Sequence, residues 1–208
     1  MELSTMLYGV NGIECSVSYK LYNEREHPLV FLHGFSFTRN TWIEAGIIEK
    51  ILENRIDVLI PDMPYGKNTD CSKHSRNVEL NVSALEYITR RLIGDRKPLL
   101  VGASLGGRIA LYYSIGRQVA GLFLASPAVK EDEPLWRNIR MIKAPAVIIR
   151  GQKDFIPRKI HEKLAKKLKA PLIVYEGAGH AMYLDNPERF IDDLLRFYEE
   201  VSPRGING

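Results

Sequence analysis

Three side chains have the types and the order that nucleophilic acyl chemistry needs. Ser104 stands in Gly102-Ala103-Ser104-Leu105-Gly106, a G-x-S-x-G between the apolar run "LLVGAS" and the amphipathic run "LGGRIALYYSIG". A sharp strand-to-helix turn would lift this hydroxyl out of a sheet, and only small neighbours two residues either side fit such a turn. A serine hydroxyl is a weak nucleophile without a base. In a strand-turn-helix context the expected chain order is serine, acid, histidine. His180 lies in "EGAGHAMYLDNPERF", after the last apolar run, and Asp154 closes "VIIRGQKD", after the one before it. The other candidates fit less well. His27 precedes a strand, His74 sits in a polar loop, and His161 is on a basic helix. Asp62 ends "IDVLIPD" but comes before the serine, so it is assigned to organising its own loop.

An acyl intermediate also needs donors for the developing oxyanion. The N–H of Leu105, just after the serine, is one candidate. The N–H of Phe35, in "LHGFSFTRNTW", is the other, with His33 holding that loop through its backbone.

The elements that must position these groups follow from hydrophobic patterning. "PLVFLHG", "IDVLIPD", "KPLLVGAS", "VAGLFLASPAV", "APAVIIRGQKD" and "APLIVYEGAGH" read as strands, most of them buried on both faces. Amphipathic segments alternate with them: "TWIEAGIIEKILE", "NVELNVSALEYITRRLI", "LGGRIALYYSIG", "PRKIHEKLAKKLK" and "NPERFIDDLLRFYEE". Asn186 is the expected cap of the last helix, with Asp185 and Glu188 as a competing start. The turn "VNGIE" and the alternating "CSVSYKLYN" predict an antiparallel pair at one edge. The pattern predicts an α/β fold with a mostly parallel sheet and helices on both faces, in one domain over residues 1–208. Ligands of such sheets bind beyond the carboxyl ends of the strands, where every candidate above falls.

Composition narrows the partners. The chain is 208 residues, 45% hydrophobic and 26% charged, with 29 basic and 25 acidic residues and a net charge of +4. Much of the basic excess lies in "RKIHEKLAKKLKA", where Lys159, Lys163, Lys166 and Lys167 oppose Ile160, Leu164 and Leu168. That pattern is a solvated helix face, without the interleaved aromatics of a nucleic-acid platform. No apolar run is long enough to span a membrane and no secretory signal is visible, so a cytoplasmic location is expected. Cys15 and Cys71 are far apart, with no metal-ligand spacing near them, and are read as free thiols. No metal and no cofactor are expected. Glutamine occurs only at Gln118 and Gln152 among abundant Lys, Arg, Glu and Ile, which fits a thermophile.

Taken in order, "LHGFSF", "GASLGG", "RGQKD" and "GAGH" resemble the α/β-hydrolase superfamily over nearly the whole chain. "LHGFSFTRNTW", "APAVIIRGQKD" and "GAGHAMYLDNPERF" are similar to its small, lid-poor CIB-like members. The resemblance implies an α/β-hydrolase fold of about eight strands and esterase-type chemistry on small acyl substrates. It departs from the family at "DMPYGKNTDCS", where D-x-P-G-x-G-x-S is usual. Where many relatives insert a helical cap, only Lys130 to Lys143 is present, room for one short helix and no cap domain.

The expected activity is therefore hydrolysis of a small ester or related acyl compound through Ser104, Asp154 and His180. The expected acyl pocket is lined by Phe35, Phe37, Trp42, Pro127, Trp136, Phe155 and Met182. Acyl transfer by the same triad and a non-catalytic binding protein of the same fold are the alternatives, with a monomer as the default state.

Overall fold

The computed structural model describes residues 2–202. Eight strands form one sheet in the order β1-β2-β4-β3-β5-β6-β7-β8. Strands β1 (Ser4–Val10) and β2 (Ile13–Lys20) form an antiparallel hairpin at one edge, and β2 also runs antiparallel to β4 (Val58–Pro61). From β4 through β3 (Leu29–Leu32), β5 (Leu99–Ala103), β6 (Gly121–Ala125), β7 (Ala146–Gly151) and β8 (Leu172–Tyr175) every pairing is parallel. The mostly parallel sheet and its antiparallel edge match the expectation from the apolar runs.

Every residue of β3, β4, β5, β6 and β7 is buried. Their side chains feed two apolar cores, one on each face. Val30, Leu100 and Leu122 lie in one, and Phe31, Val101 and Phe123 in the other. Successive residues point to opposite faces, so an unbroken apolar run supplies both layers.

The helices flank this sheet: α1 (Asn40–Glu44), α2 (Ile47–Glu53), α3 (Val78–Ile93), α4 (Leu105–Ser114), α5 (Leu135–Asn138), α6 (Arg158–Leu168), α7 (Met182–Asp185) and α8 (Pro187–Val201). Asn77 caps α3, its side chain accepting Leu80 N–H at 2.7 Å. Gly46, at φ +72°, divides α1 from α2 where the sequence pattern predicted one helix. Asn186 precedes Pro187 at the start of α8 but caps nothing with its side chain. Asp185 is drawn away to accept Gly179 N–H at 2.7 Å, which ties the loop carrying His180 to α7.

The segment between β6 and β7 holds only α5 and a 3-10 turn, and no large cap covers the sheet. No helix among the described residues is long and apolar enough to cross a membrane.

One sequence expectation is overturned away from the site. Cys15 and Cys71 form a disulfide, with Cα atoms 4.1 Å apart. The loop after β4 folds back along β2, where Ser72 N–H donates to Glu14 O at 2.7 Å. Fifty-six residues of separation hid this neighbourhood from a local reading.

Candidate active site

Ser104 occupies the turn from β5 into α4 with φ +52° and ψ −115°. Positive φ costs a residue with a Cβ roughly 1–3 kcal/mol, so the surroundings must enforce it. They do so through close backbone approach. A Cβ on Gly102 would sit 2.7 Å from Gly107 Cα, and one on Gly106 would run into Leu32 O. The turn is fixed further by Ser104 O, which accepts Arg108 N–H at 3.1 Å and Ala128 N–H at 3.0 Å. These glycines let α4 dock against the ends of β3 and β5, and the serine is left at the rim.

Asp154 and His180 arrive from the loops after β7 and β8. His180 Nδ1 lies 2.7 Å from Asp154 Oδ1, with the proton on the imidazole nitrogen and the carboxylate accepting. Ile156 N–H donates to the same oxygen at 3.0 Å. Burial pushes the Asp154 carboxyl up, but the hydrogen bonds from His180 and Ile156 N–H hold it below its usual range. A carboxylate therefore faces Nδ1, and the other ring nitrogen, Nε2, has no hydrogen-bond partner among the described residues. His180 and Ser104 line one cavity of about 210 Å³ with Gly34, Phe35, Ser36, Phe37, Ala103, Phe155 and Tyr183.

The loop after β3 brings the second amide. A Cβ on Gly34 would stand 3.6 Å from Ser104 Cβ, so this backbone lies against the serine. His33 anchors it. Its Nδ1–H donates to Gly34 O at 2.8 Å, and its Nε2 accepts Met63 N–H at 3.0 Å. Tyr65 Oη donates to His33 O at 2.6 Å. Burial lowers His33 to about 4, which keeps the ring neutral. Among the described residues neither Phe35 N–H nor Leu105 N–H makes a hydrogen bond. Asp62 is buried at the end of β4, and its carboxylate holds the neighbouring loop after β3, accepting Arg39 N–H at 2.9 Å.

The expected pocket lining is only partly present. Phe35, Phe37 and Phe155 line the cavity, and the Phe155 ring meets His180 at a tilt of 39° with centroids 4.2 Å apart. Trp42 does not line it. It is fully buried in the core against Phe31, Tyr183 and Phe190. Met182 is also fully buried in that core, because α7 turns it inward. Trp136 packs at the surface, its Nε1–H donating to Lys130 O at 2.7 Å and Lys163 lying over its ring. Pro127 lies beneath the turn, beside Gly107.

Sequence reasoning missed Tyr183 in the wall and His161 behind the acid. His161 is fully buried, with Nδ1 3.9 Å from Asp154 Oδ2 and Nε2 3.3 Å from Pro127 O. Burial pushes this imidazole down, so a neutral ring backs the carboxylate. Its spacing to Leu164 and Ala165, three and four residues on, was a signal for the inward face of α6.

Residues 27–138 match the family model described as "alpha/beta hydrolase fold". The chain belongs to this family. Among curated relatives, ABHD14A of Danio rerio is 30% identical over 179 residues, covering 83% of this chain and 64% of that protein. ABHD14B of Homo sapiens, named as a candidate protein-lysine deacylase, is 25% identical over 174 residues, 82% of each chain. Solved structures share the fold. A predicted CIB-like hydrolase of Thermoplasma acidophilum has a TM-score of 0.82 at 21% identity, covering 96% of this chain and 99% of the other. An esterase of Exiguobacterium antarcticum has a TM-score of 0.77 at 20% identity, covering 93% and 98%.

Proposed function

We propose that this chain is a serine hydrolase that cleaves a small carboxylic ester or related acyl compound. The observation that carries the reading is the geometry of His180. One ring nitrogen is held by Asp154 at 2.7 Å, and the same ring shares a cavity with Ser104. Similarity to the α/β-hydrolase fold supports it.

In the first step His180 Nε2 takes the Ser104 proton as Oγ attacks the acyl carbon. The carbonyl oxygen becomes an oxyanion within reach of Leu105 N–H and Phe35 N–H. Collapse breaks the bond to the leaving oxygen, which receives the proton from His180, and an acyl-Ser104 remains. Water, deprotonated by His180, releases the acid and restores the serine. Asp154 stays ionised throughout, holding the imidazole tautomer and stabilising the imidazolium.

A cavity of about 210 Å³ favours a short acyl group. The deacylase name of the human relative extends the same chemistry to an acyl-lysine amide, and the uncapped site leaves room for such a side chain. A chain-length series of 4-nitrophenyl esters tests the reading. Turnover should be highest for the shortest acyl groups and fall by several orders of magnitude in Ser104→Ala. Undiminished turnover in Ser104→Ala would rule it out.

A further inference from the structure

Beside the candidate triad lies a wider groove of about 880 Å³ that the acyl chemistry leaves unused. It shares Phe155 with the cavity over Ser104, and Leu105, the residue after the nucleophile, lies in its wall. The two concavities differ in character. Phe35, Phe37 and Tyr183 bound the cavity, whereas the groove wall carries four cations, Arg76, Arg108, Lys130 and Lys159, and one anion, Glu131.

Glu131 is matched by Lys159, at 3.3 Å. Arg108 is paired with Glu133 behind the wall, so Arg76 and Lys130 are the two groove cations without a carboxylate partner among the described residues. Arg108 lies one helical turn beyond Ser104 on α4, its N–H bonded to Ser104 O. Its Nε donates to the buried carboxylate of Glu133, which is itself held by Tyr112 Oη at 3.2 Å and Lys130 N–H at 2.9 Å. Among the described residues the terminal nitrogens of Arg108 make no hydrogen bond. The guanidinium is thus oriented by a buried partner and still has donors to offer. Arg76 stands with its guanidinium 5.7 Å from the Phe35 ring and has no carboxylate partner among the described residues. Lys130 Nζ is likewise without one.

We infer that this groove binds an anionic arm, carboxylate or phosphate, on the leaving group of the substrate. The inference rests on the reading of Ser104 as the nucleophile. The acyl group occupies the narrow cavity, and the leaving group passes Phe155 and Leu105 toward Arg108. There the free guanidinium nitrogens donate to the anion, with Arg76 and Lys130 closing on it.

Three acetyl esters on the same ring provide the test: those of 4-hydroxybenzoate, 4-hydroxyphenyl phosphate and the neutral 4-hydroxybenzamide. At low salt the KM of at least one anionic ester should lie about tenfold to a hundredfold below that of the amide. The advantage should shrink as salt is raised. Preference for the carboxylate or for the phosphate assigns the arm, and either supports the inference. The ratio of anionic to neutral KM should approach one in Arg108→Gln. It should also approach one in Arg76→Gln/Lys130→Gln, which keeps the Arg108–Glu133 pair and so the local fold. Equal KM values with the neutral ester still hydrolysed overturn this inference and leave the triad reading standing. A preference that survives both variants overturns it too. Hydrolysis of none of the three is the failure of the triad reading, and the groove assignment falls with it.

Discussion

Asp154 Oδ1 receives two donors, His180 Nδ1–H at 2.7 Å and Ile156 N–H at 3.0 Å. The backbone donor fixes the carboxylate, and the carboxylate in turn fixes the ring. In Asp154→Asn an amide would meet the imidazole, and it can favour the tautomer that protonates Nε2. The base would then be blocked with little change in shape. The kcat for an activated ester should fall by about 10⁴, the loss known for such a replacement in another serine hydrolase, with the melting temperature moving little. A fall of less than tenfold would show that Asp154 does not set the tautomer.

His33 predicts a pH dependence of stability. Burial lowers its folded value from 6.5 to about 4. Between those values the unfolded chain holds a proton that the folded chain lacks, so stability falls as pH falls through this window. The contribution is about 3 kcal/mol, fully present above pH 6.5 and lost by about pH 4. Urea midpoints at neutral and mildly acidic pH measure it. His33→Gln, which removes the titrating ring, should show a smaller acid-side drop than the parent chain. Equal drops would contradict the assignment.

Gly106 predicts a packing effect. A Cβ there meets Leu32 O, a backbone atom at the end of a central strand that cannot rotate away. Gly106→Ala should cost about 2–3 kcal/mol. Because the strain falls on the turn that presents Ser104, turnover should drop even where the variant folds. Denaturant unfolding and ester turnover check both parts, and an unchanged midpoint would refute the first.

The disulfide predicts a redox-dependent stability. Cys15 and Cys71 close a loop of 56 residues, for which chain-entropy arguments give about 4 kcal/mol. Thiol reagent or Cys71→Ala should lower the melting temperature, and reagent should have no further effect on the variant. Equal melting with and without reagent would mean that the bridge contributes nothing.

Much of this architecture was legible because it is local. "LVFL" and "VLIP" are short and apolar at every residue, as a strand covered on both faces is. The turn at Ser104 was legible because glycines at 102 and 106 have a steric reason to be there. Asp154 and His180 followed from chain order and strand ends. What escaped was relational. Trp42 was placed in the pocket because aromatic identity does not say which face a short helix buries. The Cys15–Cys71 bond depends on a loop folding back along β2, through Ser72 N–H to Glu14 O. The break at Gly46 turns on one left-handed residue inside a continuous helical pattern. His161 was the avoidable miss, since its spacing already placed it on the inward side of α6.

The central claim is that Ser104 is a nucleophile activated by His180. A fluorophosphonate probe followed by intact-mass and peptide mapping tests it most directly. The account predicts one adduct per chain, on the peptide containing Ser104, absent in Ser104→Ala and strongly slowed in His180→Ala. Failure of folded protein to label, or a label on any other residue, would contradict it.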